Sequence, residues 1–176
     1  NAYTKSQVKE IIVEMRQLGI EPIPMFNSFG HASLSRERSG KHVALDRYPE
    51  MHYLYTPDGW AYNIFEPKVT AFLENVRGEL YELFEKPEYF HIGCDESYQR
   101  DKRYVEESHR YIGALCAAVL EEGVTPIMWA DECLYSGQFP SDLQYICSAG
   151  DRTIAEKRLS YLPKETILAD WQYNIV

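Results

Sequence analysis

The sequence predicts an α/β fold that is part of a (β/α)8 barrel, and three observations lead there. Helix-period and strand-like segments follow one another in the order helix, strand, helix, strand, helix, strand, strand, helix, strand. The connectors are long enough for crossovers and carry almost no hairpin signals, which selects a parallel sheet. No dinucleotide fingerprint or phosphate loop is present. The stretch from Gly30 to Gly40-Lys41 has the wrong spacing and lacks the Ser or Thr that would hold magnesium, so a closed barrel is preferred over an open doubly wound sheet.

Each element has its own justification. Val8, Ile11, Ile12, Met15 and Leu18 fall on one stripe of period 3.6, Thr4 and Gln7 are spaced as a capping box, and Gly19 supplies a stop, so an amphipathic helix covers residues 4–18. The run Glu-Pro-Ile-Pro-Met-Phe at 21–26 reads as a short buried strand, although its two prolines favour an edge. It ends in the loop Asn-Ser-Phe-Gly-His at 27–31. Residues 32–65 are polar, irregular and too long for a plain connector, which predicts a functional loop or small excursion. Pro67 opens a second helix with Val69, Phe72, Leu73, Val76, Leu80, Leu83 and Phe84 inward, and Pro87 ends it. Residues 89–94 read as a strand. A third helix covers roughly 101–122, with Tyr104, Ile112, Leu115 and Val119 inward and Gly123 as its cap, and leads into a strand at 125–130. Two further strands, at 143–147 and 166–171, flank a short helix from about 152 to 162.

Composition narrows the class. A chain of 176 residues, 45% hydrophobic and 26% charged, suits one globular domain and excludes disordered, collagenous and disulfide-scaffold classes. Eighteen Lys and Arg against 27 Asp and Glu leave a net charge of −9, which repels nucleic acid and anionic membranes. No apolar run approaches the roughly 20 residues that span a bilayer. The chain opens on a polar segment without a leader pattern, and Asn1-Ala2 reads as the remnant of a cleaved tag, which makes 3–176 the domain and leaves the cellular compartment open. Cys94, Cys116, Cys133 and Cys147 show no Cys-x-x-Cys pair and are expected as buried thiols. Aromatic residues reach 14%, a lean towards sugars or interfaces.

In a parallel barrel, polar residues at the C-terminal strand ends face the active site. Those ends carry Asn27 and His31, then Asp95-Glu96, then Trp129, Asp131 and Glu132, then Asp170, Trp171, Tyr173 and Asn174. Each has a structural alternative: Asp95 or Glu132 capping the next helix, His31 satisfied in a turn, Trp171 packed in the barrel. Convergence of carboxylates and indoles on one rim favours a site. Neighbours on a regular strand point to opposite faces, so Asp95 and Glu96 can share a site only where the strand breaks into a loop. Their proximity then splits their pKa values, leaving one ionised and pushing the other up.

The segment Tyr-Phe-His-Ile-Gly-Cys-Asp-Glu at 89–96 closely resembles the Phe-His-Ile-Gly-Gly-Asp-Glu signature of glycoside hydrolase family 20, the β-N-acetylhexosaminidases. Gly-Ile-Glu-Pro-Ile-Pro from Gly19 and Phe-Gly-His-Ala from Phe29 are similar to that family's Gly-Ile-Glu-Val-Ile-Pro and Pro-Gly-His block, while Met-Trp-Ala-Asp-Glu and Asp-Trp-Gln-Tyr resemble its later strands. Cys94 stands where the family has a second Gly, and Phe29 where it has Pro. The resemblance implies a TIM barrel of which about strands three to seven of eight are present. It implies a retaining, substrate-assisted mechanism in which the substrate's acetamido oxygen is the nucleophile. Glu96 would be the general acid/base, Asp95 would orient the 2-acetamido group, and His31 would stand in the hydrogen-bond network behind Glu96. Trp129 and Trp171 would wall the sugar pocket, and Tyr173 would hydrogen-bond the acetamido carbonyl. Asp131 is a further candidate for sugar binding, at the strand end beside Trp129. The implied substrates are glycosides of N-acetylglucosamine or N-acetylgalactosamine, with no cofactor or metal. Because strands of the pocket are missing, the chain alone is expected to be inactive, with open edges near Ile23 and Ile167 inviting self-association. Two alternatives stand beside this reading. One is a metal-dependent barrel enzyme such as a sugar isomerase or hydrolase, with His31, Asp95, Glu96, Asp131 and Glu132 as ligands; the other is a non-catalytic sugar-binding relative.

Overall fold

The computed structural model describes residues 2–33, 43–98, 101–140 and 145–172. Helix α1 spans Lys5–Gln17 and starts as its spacing predicts: Gln7 N donates to Thr4 Oγ1 at 3.3 Å while Thr4 N donates to Gln7 Oε1 at 2.9 Å. A short helix α2, Val43–Arg47, and a 3-10 turn, Pro49–Leu54, follow. Then Tyr55 and Tyr62 form an antiparallel bridge closed by a tight turn, with Thr56 Oγ1 bonded to Asp58 Oδ1 and Ala61 N donating to Thr56 Oγ1. Leu45, Leu54, Tyr55, Ala61 and Tyr62 are buried, so the described part of the 32–65 stretch is a folded excursion with its own apolar anchors.

Helix α3 spans Pro67–Leu83 and α4 spans Lys102–Glu121. Strands β1 (Tyr89–His91), β2 (Thr125–Trp129) and β3 (Ile167–Ala169) form a parallel sheet in that order, with His91 opposite Ile127 and Ile127 opposite Ile167. Helix α4 makes the crossover from β1 to β2, and α5 (Arg152–Tyr161) precedes β3. Before β1 comes the segment around Met25, held parallel to it by His91 N donating to Pro24 O and Phe26 N donating to His91 O. Pro22 and Pro24 have no amide to give, so this segment is an edge rather than the buried strand expected, and Ile23 and Met25 stay exposed.

Two further expectations change. The apolar stripe of α1 is only partly covered, with Ile12 buried but Ile11 and Leu18 exposed. Its ties to α3 are polar: Lys5 Nζ meets Glu79 at 2.7 Å, and Arg16 Nη2 donates to Phe84 O at 2.8 Å. The strand expected at 143–147 lies partly outside the described residues, and Tyr145–Cys147 carries no ladder. The reason is that β3 already occupies the free edge of β2. Ile146 is hooked instead by a side chain, its N–H donating to Gln172 Oε1 at 2.9 Å and its carbonyl accepting from Gln172 Nε2 at 3.0 Å.

Strand alternation divides the sheet into two faces. Phe90, Ile92 and Met128 pack against the helices beside buried Val69, Leu73, Ile112, Cys116 and Val119. Full burial of such side chains stabilises by about 1.5–3 kcal/mol each. On the opposite face Met25, His91, Ile127, Trp129 and Ile167 share one side; the middle pair His91 and Ile127 is buried, while Met25 and Ile167 at the margins are exposed. Cys94, Cys116 and Cys133 are buried free thiols, and Cys147 is half-buried and free.

Candidate active site

Two glycines bring the first two strand ends together. A Cβ on Gly93, which has φ +70°, would lie 2.2 Å from Asn27 Oδ1 and 2.9 Å from Asn27 Cα, and a Cβ on Gly30 would lie 2.0 Å from Asp95 O. Beyond Gly93 the chain breaks out of strand geometry, with Cys94 at φ +67°, Glu96 at +45° and Tyr98 at +45°. The expected strand break therefore occurs where the acid pair lies. His31 Nε2 is 3.3 Å from Asp95 Oδ2 and 3.0 Å from Glu96 Oε2, so one imidazole nitrogen faces both carboxylates. A cleft of about 320 Å³ lined by Met25, Phe26, Asn27 and His31 opens beside them.

The group pushed up in pKa is Asp95, first by burial, with a further rise from the Asp131 and Glu96 charges and opposition from His31. Its Oδ1 is buried and has no hydrogen-bond partner among the described residues. Glu96 is held from several sides. Tyr98 OH hydrogen-bonds Glu96 Oε1, and Trp60 Nε1 donates to Glu96 O at 2.7 Å. The Trp60 ring lies 4.3 Å from the His31 ring and is nearly parallel to that of Tyr98, with centroids 6.4 Å apart.

Trp129 ends β2 with its ring 4.4 Å from that of His91, and His91 Nδ1 accepts from Gly93 N at 3.0 Å. Burial pushes the His91 imidazole down to about 4. Asp131, 1% exposed, meets protein donors on both oxygens: Glu96 N at 2.9 Å and Ser148 Oγ at 2.7 Å on Oδ2, and Trp171 Nε1 at 3.2 Å on Oδ1. Glu132 is fully buried; its Oε1 accepts from Ser97 N at 3.1 Å and its Oε2 lies 2.6 Å from Arg158 Nη1. Burial pushes the Glu132 carboxyl up to about 7 against the pull of that guanidinium. Tyr173 and Asn174 lie outside the described residues.

Of the five ligands in the metal alternative, His31, Asp95 and Glu96 offer atoms within 4.8 Å of one another, whereas Asp131 and Glu132 are engaged by the protein donors above. Sequence reasoning missed Trp60, Tyr98, Ser148 and Arg158. The one available signal was for Trp60, which sits in the excursion already marked as functional; nothing in spacing or periodicity singles out the other three.

Residues 1–172 match the family described as glycosyl hydrolase family 20, catalytic domain. Hexosaminidase D of Bos taurus is 26% identical over 148 residues, covering 74% of this chain and 40% of the relative. The chitooligosaccharidolytic β-N-acetylglucosaminidase of Bombyx mori is 24% identical over 110 residues, covering 62% of this chain and 18% of the relative. The chain thus spans less than half the length of these relatives. Among solved structures, a β-N-acetylhexosaminidase from Bacteroides fragilis superimposes with a TM-score of 0.60 at 23% identity, over 97% of this chain and 36% of that one. A catalytic module of the pneumococcal exo-β-D-N-acetylglucosaminidase does so with 0.63 at 19%, over 97% and 38%. The α/β architecture is accordingly that of part of a TIM barrel, and with the match running through 1–172 the chain belongs to glycosyl hydrolase family 20.

Proposed function

We propose that this chain carries the acid end of a β-N-acetylhexosaminidase site that releases terminal N-acetylhexosamine with retention of configuration. The observation that carries this reading is the pairing of Asp95 and Glu96 on His31 Nε2, with Asp95 Oδ1 left unpartnered among the described residues. Glu96 gives its proton to the glycosidic oxygen as the bond to the anomeric carbon breaks. The substrate's own acetamido oxygen forms the new bond to that carbon, and Asp95 Oδ1 accepts from the acetamido N–H as positive charge develops. Water then bonds to the anomeric carbon as its bond to the acetamido oxygen breaks, and the Glu96 carboxylate takes a proton from that water. His31, Tyr98 and Trp60 hold Glu96 in place, and Trp129 and Trp171 offer ring faces to the sugar; the hydrogen bond to the acetamido carbonyl is assigned to Tyr173 from the family resemblance alone. The names of the relatives, hexosaminidase and β-N-acetylglucosaminidase, support the substrate class.

Glu96→Gln in the complete gene product should lower turnover of an N-acetylglucosamine disaccharide by about 10²–10⁴-fold while sparing substrates whose leaving group needs no proton. Asp95→Asn should slow both kinds of substrate alike. The raised Asp95 carboxyl favours one competing assignment, Asp95 as proton donor, and the reverse pattern between the two variants would establish it. The compact His31, Asp95 and Glu96 cluster favours a second, metal-dependent reading, which loss of activity in a chelator and recovery with a divalent cation would support. For the 176-residue chain by itself the proposal is little or no turnover, since both margins of its described sheet are open.

A further inference from the structure

We propose that Asp131 and Glu132 are positioning residues that hold the acid loop in register, rather than groups that contact the sugar. This rests on the reading of Glu96 as the general acid. The parallel ladder between the first two strands runs through Ile92 N donating to Ile127 O at 2.8 Å. Past the strand ends the carbonyl acceptors give out, and side-chain carboxylates continue the series at the same separation: Glu96 N donates to Asp131 Oδ2 and Ser97 N to Glu132 Oε1, each pair 35 residues apart. The two amides so held lie on either side of the α-carbon that carries the Glu96 side chain, at a residue whose φ of +45° a non-glycine rarely adopts.

The acceptors are themselves fixed. Arg158 of α5, 2% exposed, reaches Glu132 Oε2 at 2.6 Å and Glu132 O at 2.7 Å, and donates to Ser108 Oγ of α4 through both Nε and Nη2. Ser148 and Trp171 fix Asp131 in the same way. Asp131, 1% exposed, has a protein donor on each oxygen and Glu132 is fully enclosed, so both are turned to the protein rather than to a sugar hydroxyl. A carboxylate suits this place better than an amide, because it accepts on every side and has no donor to turn against Glu96 N–H, Ser148 O–H and Trp171 N–H at once.

The test separates positioning of an acid from general damage. Kinetics are measured on the complete gene product with two N-acetyl-β-glucosaminides, one with a dinitrophenyl leaving group that departs unprotonated and one with a sugar leaving group that requires a proton. Asp131→Ala should lower kcat about 10²-fold on the sugar substrate and at least tenfold less on the activated one, with KM little changed. Asp131→Asn can still accept from Glu96 N and Ser148 with its one oxygen, and should recover most of the sugar-substrate activity. If the alanine variant does not fold, Ser148→Ala should show the same skew at smaller amplitude. An even loss on both substrates, or none, overturns the proposal. A skew in Glu96→Gln with an even loss in Asp131→Ala overturns it alone, whereas no skew in Glu96→Gln removes Glu96 as the acid and the proposal with it.

Discussion

Asp95 and Glu96 reach one imidazole nitrogen because the backbone between residues 93 and 98 abandons strand alternation. The non-glycine positions in the left-handed region, Cys94, Glu96 and Tyr98, cost of order 1–3 kcal/mol each and persist only where contacts over-determine them. Gly30 is one such contact point, and Gly30→Ala should push the Asp95 carbonyl aside, costing about 1–3 kcal/mol in denaturant unfolding together with turnover. Unchanged unfolding midpoints would refute the contact. His91 sets a pH limit on the same loop. Because its Nδ1 accepts from Gly93 N–H, the neutral ring carries its proton on Nε2, and a second proton on Nδ1 would oppose that amide. The folded pKa of about 4 lies below the ordinary 6.5, so the unfolded chain binds the proton first. This contribution to stability is complete above pH 6.5 and is lost as pH falls towards 4, and unfolding titrations of His91→Gln should lack the decline. Asp95, Glu96 and His31 were legible because strand ends are marked by composition. Trp60 and Tyr98 were not, because a ring brought in from an excursion and a phenol two residues past the acid leave no periodic trace.

Helix starts were readable at the level of elements, since a cap is a local arrangement of a few side chains. Thr4→Ala should cost about 1 kcal/mol at α1. With the α1 stripe only partly covered, that loss should appear locally, as roughly fivefold faster amide exchange in α1 while the buried amides of α4 are unaffected. Uniform acceleration in both helices would contradict it. Strand existence was harder to read. An apolar run at 143–147 carries the composition of a strand, but composition does not say which ladder is vacant, and β3 occupies the edge of β2. Membership of a parallel sheet is decided by the competition of distant segments for the same edge.

For the whole molecule, the described sheet ends in two margins where Ile23 and Ile167 are 44% and 42% exposed. Such margins recruit further strands. A net charge of −9 opposes close approach of copies, so association should strengthen with salt rather than weaken. Light scattering of the 176-residue chain should give an apparent mass that rises with concentration and with ionic strength; a constant monomer mass would rule this out. The carboxylates that extend the ladder carry a different consequence, one of length. The stretches Ile92–Ser97 and Ile127–Glu132 contain equal numbers of residues, and the amides of Ile92, Glu96 and Ser97 each meet an acceptor 35 residues further along the chain. A single-residue insertion between the ladder and these acceptors in either stretch would set the Glu96 and Ser97 amides against the wrong partners. One insertion in each would restore the match, so members of this lineage that lengthen these strand ends should do so in both stretches together.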